Sequence, residues 1–257
     1  MLNEIVRMHD DLDRALAKPE RQRSWVMAVD TRKCVGCLAC VASCTAENGS
    51  PPGRPFRMVY DVEDGLYPNP ERFFMPANCQ QCDNPPCLKA ANAHVKGAIR
   101  KRSDGIVAFD HQKLAGSAQA RAAAVKACPY VTAIVEDVGG YHTDGTPKLE
   151  AYETRTFYEF DKAMQRKSVV GALRKCTFCQ HRLASGMLPA CVTTCEGRAM
   201  YFGDRSDPKS LVSELLAVHE GWRLYENKGT MPRVYYIGYE TRSAISTSAS
   251  GACAICH

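Results

Sequence analysis

The stretch CVGCLACVASC, residues 34–44, decides the fold. Its cysteines follow the spacing C-x2-C-x2-C-x3-C, which places three thiols on one tight loop, close enough to hold three corners of a cubane iron–sulfur cluster. The fourth cysteine enters a helix that points its sulfur away from the other three. A complete site therefore needs a triplet from one motif and a fourth ligand from a partner motif.

The remaining cysteines also occur in groups, and their spacing can be tested against disulfide, zinc and iron–sulfur chemistry. Three cysteines within the seven residues from Cys34 to Cys40 cannot all reach distant disulfide partners without strain. Zinc prefers isolated sets of four ligands, and the first motif has one thiolate too many for a simple pair. We therefore predict iron–sulfur ligation. The further groups are Cys79, Cys82 and Cys87; Cys128 before Pro129; Cys176, Cys179, Cys191 and Cys195; and Cys253 and Cys256 before His257.

Composition excludes several classes of protein. The chain has 257 residues, 45% of them hydrophobic, which is enough for one large or two small globular domains. Its net charge of +5 comes without the concentrated basic patch typical of nucleic-acid binding. No run approaches the roughly 18–20 apolar residues of a membrane-spanning helix. The first 30 residues show neither a hydrophobic signal core nor a twin-arginine pair, so we expect no export signal in the chain itself.

Six segments carry a family resemblance: CVGCLACVASC (34–44), CQQCDNPPC (79–87), DGIVAFD (104–110), ACPY (127–130), KCTFCQHRLASGMLPACVTTC (175–195) and YFGD (201–204). Together they resemble the four-motif iron–sulfur subunits of molybdopterin oxidoreductases, such as the dimethyl sulfoxide, polysulfide, thiosulfate and tetrathionate reductases. The resemblance runs from about Trp25 to about Tyr239. It implies an α+β fold of tandem ferredoxin-like domains, of the bacterial two-cluster ferredoxin type, with insertions and a flexible C-terminal tail.

The resemblance also implies domain boundaries and ligand sets. Residues 1–24 form an N-terminal extension, residues 25–75 and 130–240 the first ferredoxin-like domain, residues 76–129 the second, and residues 241–257 the tail. In this family the first cysteine motif pairs with the fourth and the second with the third. Carried over, the sets are Cys34, Cys37, Cys40 and Cys195 for one [4Fe-4S] cluster (site a); Cys44, Cys176, Cys179 and Cys191 for a second (site b); and Cys79, Cys82, Cys87 and Cys128 for a third (site c).

The chain departs from the family pattern at a fourth cluster. Ala91 stands where the family has a fourth cysteine after Cys87, and the matching triplet falls on Ala118, Arg121 and Ala124. All four ligands of one cluster are absent, while the neighbouring set is complete. We therefore predict three clusters, with a plain alanine-rich helix in place of the lost motif. The alternative is that Cys128 is a buried structural thiol and the second motif holds a three-iron cluster.

The chain ends in CAICH, the attachment signature of a covalent c-type haem. Cys253 and Cys256 would bond to the vinyl groups, and His257 would be the proximal ligand. The alternatives are a chance pentapeptide or a C-x2-C metal hook. Three clusters use the other twelve cysteines, which favours haem. The second axial ligand could come from a methionine, from a partner subunit, or from one of the histidines His94, His111, His142, His181 and His219.

Local patterns predict further elements. Alternating or apolar runs predict strands at 56–62, 106–109, 132–138 and 233–239. Residues 118–127 and 207–221 have helical patterns, the second with Ser206 or Asp207 as the N-cap before Pro208. The segment 48–74 is rich in proline and glycine, and we interpret it as a long insertion that shapes a docking surface.

Function follows from the resemblance and from the metal accounting. No catalytic motif is present, so we expect an electron-transfer subunit without a catalytic pocket. It would relay electrons between a membrane partner, either a quinone-interacting subunit or a cytochrome, and a large molybdopterin catalytic subunit acting on a sulfur oxyanion, polysulfide or similar substrate. Covalent haem attachment favours the periplasmic side of the membrane; the cytoplasmic face is the alternative. Other possibilities are a free-standing polyferredoxin-type carrier and a zinc-structured module.

Overall fold

The computed structural model describes residues 3–50, 53–64, 66–130, 133–137 and 170–239. Within these ranges helices and strands alternate, and the predicted α+β class is confirmed. The α-helices are α1 (Glu4–Leu16), α2 (Ala39–Asn48), α3 (Pro86–Asn92), α4 (His111–Ala115), α5 (Ala118–Ala127), α6 (Gln180–Ala184), α7 (Ala190–Thr193) and α8 (Leu211–Val218). The strands are β1 (Trp25–Asp30), β2 (Arg57–Asp64), β3 (Glu71–Asn78), β4 (Ile99–Lys101), β5 (Val107–Phe109), β6 (Ile134–Glu136), β7 (Leu173–Lys175), β8 (Met200–Asp204) and β9 (Val234–Ile237).

A three-stranded sheet in the order β8-β1-β9 forms the centre of the main core. Strand β8 runs antiparallel to β1, with Trp25 opposite Asp204, and β9 runs parallel to β1, with Met27 opposite Val234. Every residue of β1 and β8 is buried, because helices cover the sheet. The Trp25 ring stacks on Phe202 with their centroids 5.4 Å apart.

Helix α1 packs on β8 through an apolar stripe at helical spacing. Met8, Leu12 and Ala15 lie one turn apart along this stripe, and each is at most 1% exposed. The helix begins after Asn3, whose side chain accepts a hydrogen bond from the backbone N–H of Ile5 at 3.1 Å. The N-terminal segment thus forms part of the main core.

Three two-stranded antiparallel ribbons complete the described sheets: β2–β3, β4–β5 and β6–β7. The β2–β3 hairpin begins inside the segment 48–74 and ends at Asn78, directly before the second cysteine motif. It packs against α2, the helix that follows the first motif. The insertion predicted from proline and glycine content is therefore a structured hairpin beside the cysteine loops.

A second, smaller core lies between α3 and α5, which pack directly on each other. Its centre consists of small residues: Ala91, Ala120 and Ala124 are completely buried. The other sides of this core consist of Ile99, Val107, Leu114 and Leu173. Because alanine side chains end at Cβ, the two helices can approach closely, and the space between them is filled by protein.

The predicted strands are confirmed as β2, β5, β6 and β9, and the predicted alanine-rich helix is α5. The helix predicted over 207–221 is shorter and begins at Leu211, so the N-cap prediction was wrong. Ser210 caps this helix, accepting from the Ser213 N–H at 3.3 Å. Asp207 instead closes the preceding turn, where its carbonyl accepts from the Ser210 N–H. Within the described ranges no helix is long and apolar enough to cross a membrane.

Candidate metal centres

Site a lies where the loop before α2 meets the turn after α7. The four predicted thiols line one open pocket, together with Gly36 and Gly197. Electrostatic contacts link Cys34 to Cys37 and Cys195, and Cys40 to Cys34 and Cys195. Cys37 is exposed and Cys40 is buried, so this site opens to the surface on one side.

Site b is the most deeply buried of the three groups. Its four predicted thiols, from Cys44 on α2 and from Cys176, Cys179 and Cys191 around α6 and α7, are each at most 9% exposed. Cys44 interacts electrostatically with the other three. One thiol of the first motif thus interacts with three thiols of the fourth, the grouping that the family resemblance implies.

Site c joins the loop before α3 to the end of α5. Cys128, the C-cap residue of α5, interacts with Cys79, Cys87 and Cys82. Burial raises the pKa of Cys82, and the hydroxyls of Thr230 and Tyr130, which hydrogen-bond to each other, oppose that rise. Cys128 thus lies with the other three thiols of its predicted set.

Backbone in the left-handed region shapes all three cysteine loops. Gly36 has φ +68°, and an added Cβ would lie 2.8 Å from the Phe74 ring, so glycine is required there. Leu38, Gln81 and Phe178 also have positive φ although they carry side chains. Such backbone costs about 1–3 kcal/mol per residue and persists where the surroundings impose it, typically at functional sites.

Burial raises the pKa of several thiols in each of the three sites. The values reach about 11 for Cys40, Cys82 and Cys176. They reach about 12 for Cys87 and Cys128. Free thiols at these positions are protonated at neutral pH, whereas metal ligation requires thiolates. Loading these sites therefore releases protons.

The sites follow one another in the order a, b, c. Cys40 of site a interacts with Cys191 of site b, and Cys176 of site b interacts with Cys79 of site c. Asn78 joins the last two: its side-chain amide lies 3.5 Å from the Cys176 sulfur and donates to the Cys79 carbonyl at 2.9 Å. Adjacent sites are thus in direct electrostatic contact, which suits stepwise electron transfer.

Sequence reasoning missed the polar groups that face these sulfurs. Arg57 on β2 is buried and acts on thiols of sites a and b. Burial disfavours its charge, but the neighbouring thiolates, Cys191 and Cys40 first, outweigh burial and raise its pKa above the ordinary value. Asn48 lies with its amide 3.5 Å from the Cys44 sulfur and 3.9 Å from Cys179. From sequence alone, a cationic or amide side chain after a cysteine motif is only a weak indication that it contacts the sulfurs.

The donor set fits iron–sulfur clusters. Each group has four thiols, and sulfur atoms receive N–H groups: Phe178 donates to Cys176 at 3.4 Å, and Ala199 donates to Cys195 at 3.2 Å. Hydrogen bonds to the sulfurs and nearby charge are the means by which a protein sets cluster potentials. Among the described residues, no group of three or more His, Cys, Asp or Glu side chains is arranged to hold a single metal ion.

The residues at the positions where the family resemblance places a fourth set of ligands have contacts of their own. Ala118 is exposed at the start of α5, whereas Ala91 and Ala124 are buried in the second core. The side chain of Asn92, next to Ala91, donates a hydrogen bond to the Ile99 carbonyl and accepts one from the Ile99 N–H. The Arg121 guanidinium donates to the carbonyls of Leu114 and Ala115 at 2.9 and 2.8 Å. Ala91, Arg121 and Ala124 therefore serve helix packing and backbone hydrogen bonding.

The predicted haem residues Cys253, Cys256 and His257 lie outside the described residues, as does His142. Among the other histidines, His181 is buried and lies 2.7 Å from Glu47, measured between the His181 Nε2 and Glu47 Oε1 atoms. His94 and His111 are exposed and His219 is half-buried. The second axial ligand stays unassigned.

Comparison with known proteins gives one family model and a set of relatives. The model, a 4Fe-4S dicluster domain, matches residues 70–146 and 158–205. One relative, from the selenate reductase of Mesobacillus selenatarsenatis, is 46% identical over 91% of this chain and 78% of its own length. Another, from the tetrathionate reductase of Salmonella typhimurium, is 33% identical over 86% of this chain and 77% of its own length. The arsenate respiratory reductase iron-sulfur subunit of a Shewanella species is 30% identical over 82% of this chain and 94% of its own length.

Proposed function

The chain belongs to the iron–sulfur subunits of molybdopterin reductases, and on that premise we propose that it relays electrons to or from a molybdopterin catalytic subunit. The observation that carries the proposal is the row of three four-thiol groups, each in contact with the next. Iron–sulfur clusters supply one-electron transfer at such groups. The protein's own part is to hold the clusters, exclude water and set their potentials.

The proposed ligands are the sets inferred from the motifs. Contacts among the thiols support each set, including Cys128 as the fourth member of site c. The clusters are Cys34, Cys37, Cys40 and Cys195 at site a; Cys44, Cys176, Cys179 and Cys191 at site b; and Cys79, Cys82, Cys87 and Cys128 at site c.

The proposed number of clusters is three. The packing between α3 and α5 supports this number, because completely buried alanines occupy the region where the family pattern places a fourth set of ligands. Arg121, at one of the ligand positions, holds backbone carbonyls instead. The tandem arrangement of two ferredoxin-like units belongs to the same proposal.

A covalent haem on Cys253 and Cys256, with His257 as the proximal ligand, is the proposed fourth redox centre. Its support is the CAICH sequence and the allocation of the other twelve cysteines. Covalent haem attachment favours a position on the periplasmic side of the cytoplasmic membrane. A quinone-interacting membrane protein or a cytochrome is the proposed partner at the other end of the relay.

The catalytic partner is proposed to act on an inorganic oxyanion or a related sulfur compound. The relatives serve reductases named for selenate, tetrathionate and arsenate, and their identity to this chain makes selenate the first substrate to test. Substrate choice lies in the catalytic chain, so residues of this subunit do not determine it.

The test is a mass spectrum of the anaerobically purified complex under native and then denaturing conditions. We expect three [4Fe-4S] units on this chain in the native spectrum, one haem retained on the denatured chain, and a molybdopterin subunit in the same assembly. A fourth cluster would contradict the assignment of α3 and α5 as a site without ligands. Loss of haem on denaturation would refute covalent attachment. Purification of a loaded chain without any large partner would favour the free-standing carrier.

A further inference from the structure

Arg57 is a buried cation whose charge has no carboxylate partner among the described residues. The residue begins β2 and is 1% exposed. Its Nη2 atom lies 3.1 Å from the Met27 sulfur, a weak acceptor, and its Nη1 atom has no hydrogen-bond partner in the described part of the chain. A guanidinium in this position needs compensation, because an isolated charge is very unfavourable in a protein interior.

The Arg57 guanidinium interacts electrostatically with thiols of two different sites. Arg57 acts on Cys40 of site a, and it is the largest influence opposing burial at that thiol. It also acts on Cys44 and Cys176 of site b, and on Cys176 it is again the largest opposing influence. The side chain thus lies between the first two sites of the row.

We propose that Arg57 is a counter-ion shared by sites a and b, and that it raises the reduction potentials of the clusters held there. This inference rests on the proposed function, because it takes the thiols as cluster ligands. A cluster with four thiolate ligands is an anion, and reduction makes it more negative by one electron charge. A fixed cation therefore stabilises the reduced state more than the oxidised state.

Sharing the cation has a second consequence for electron transfer. When an electron passes between sites a and b, negative charge leaves one neighbour of Arg57 and arrives at another. The interaction with the cation is lost on one side and regained on the other. Arg57 therefore raises both potentials in the same direction. Site c is influenced by another cation, Lys175, which acts on Cys87.

The experiment uses the intact complex with three variants of this chain. Arg57→Gln removes the charge at nearly constant length, and Arg57→Lys keeps the charge. Arg72→Gln is the matched control, since Arg72 lies on the same hairpin but pairs at the surface with Asp61 through a 2.8 Å hydrogen bond. Redox titrations followed by electron paramagnetic resonance (EPR) measure the midpoint potential of each cluster. The signal of site c is identified by its loss in Cys128→Ser.

We expect Arg57→Gln to lower the potentials of clusters a and b by at least tenfold in the equilibrium constant for reduction, about 59 mV for a one-electron couple. Cluster c keeps its potential, Arg57→Lys recovers most of the shift, and Arg72→Gln changes nothing. Unchanged potentials, an equal shift of all three clusters, or a shift of one cluster alone would overturn the proposal.

A second measurement uses the wild-type residue and does not depend on a foldable Arg57→Gln variant. In protein labelled with ¹⁵N at the arginine guanidinium, pulsed EPR is expected to show nitrogen coupling in the reduced signals of both a and b. Arg57→Lys is expected to abolish that coupling, and its absence from wild type would refute the shared position. The cluster count separates the two levels of failure: fewer than three clusters contradicts the proposed function, whereas three clusters without the coupling contradicts only this inference.

Discussion

Lys175 is a buried cation between sites b and c. Its side chain is 3% exposed, and its Nζ atom donates to the Cys176 carbonyl at 2.9 Å. Burial raises the pKa of Cys87 to about 12, and the Lys175 ammonium opposes that rise. A single side chain beside the cysteine motif thus acts on a site whose ligands come from another part of the chain.

Replacing Lys175 with methionine is expected to lower the potential of cluster c. Removal of a buried positive charge near Cys87 disfavours the extra negative charge of the reduced state, by about tenfold in the reduction equilibrium. Cluster b is expected to shift less and cluster a not at all. Redox titration of the purified complex measures the three potentials, with Lys126→Met on the exposed face of α5 as the control. An unchanged cluster c would show that Lys175 has only a packing role.

Asp204 is a buried carboxylate that joins β8 to the end of α1. Lys18 Nζ lies 2.6 Å from one of its oxygens, and the other accepts from the backbone N–H of Ser24 and of Ser206 at 2.7 and 2.9 Å. Burial alone would raise the pKa of Asp204, but Lys18, Ser206 and the backbone donors outweigh it and lower the pKa. The charged form is therefore the one that stabilises the fold.

The lowered pKa fixes the sign of the pH dependence. The stabilising contribution of Asp204 is complete above the unfolded value of about 4 and is lost as pH falls through the lower folded value. Asp204→Asn is expected to cost about 1.5–3 kcal/mol at neutral pH, and to reduce the loss of stability on acidification. Thermal loss of cluster absorbance as a function of pH measures both effects. Asp61→Asn at the exposed ion pair with Arg72 is the control, with an expected change below about 1 kcal/mol.

Residues that follow a spacing rule could be predicted from sequence, and residues that act through space could not. The family resemblance of the cysteine motifs predicts which thiols share a site, and in the structure thiols of each predicted set interact electrostatically. Arg57 and Lys175 follow no such rule, because their positions depend on how a hairpin and a strand pack against cysteine loops. Burial without a carboxylate partner distinguishes Arg57 from the other arginines near the motifs, and burial is visible only in three dimensions.

At the scale of elements, the alanine-rich helix was easier to predict from sequence than the long insertion. The alanine-rich pattern of 118–127 correctly predicts α5, and the buried faces of Ala120 and Ala124 explain why it is alanine-rich. The segment 48–74 was harder to interpret. Its prolines and glycines indicate connections at the ends. This composition does not indicate that the residues between them form a hairpin, which begins with Arg57. Composition averages over a segment, so it misses one functional residue within it.

Restoring cysteine at the four lost ligand positions is expected not to restore a cluster. The variant Ala91→Cys, Ala118→Cys, Arg121→Cys and Ala124→Cys has the family's ligand count, but Ala91 and Ala124 are completely buried in a core filled by protein, which leaves no room for a cluster. Loss of the Arg121 hydrogen bonds to Leu114 and Ala115 also weakens the start of α5, by about 0.5–1.5 kcal/mol each.

Iron and acid-labile sulfide per chain measure the result for this variant. The expected content equals that of the wild type, with a lower temperature for loss of cluster absorbance. Gain of about four irons per chain would show that α3 and α5 can separate to admit a cluster, and that only the missing thiols prevent one. The single variant Arg121→Cys is the control for the effect on stability, because it removes the carbonyl contacts without adding a ligand set.

At the scale of the whole molecule, the order of the sites follows from connectivity. The first motif provides three thiols to site a and one to site b, so α2 fixes the distance between these two sites. Site c takes two thiols from the loop before α3, one from the first turn of α3 and one from the end of α5, so its integrity depends on the second core. Family pattern predicts the pairing of motifs. The contact between sites b and c through Asn78 is a property of the fold that only the structure shows.

Cys128→Ser tests whether site c is a complete third centre of the relay. Because Cys128 interacts with all three other thiols of its set, we expect its loss to remove cluster c, or about a third of the iron and sulfide on this chain. Clusters a and b are expected to remain, since α5 provides none of their proposed ligands, but electron transfer across the complex is expected to fail where the relay passes through c. Cys253→Ser is the matched control, expected to remove the covalent haem and leave the iron–sulfur content unchanged. Unchanged iron content and spectra in Cys128→Ser would instead assign Cys128 a structural role and leave the second motif with a three-iron cluster.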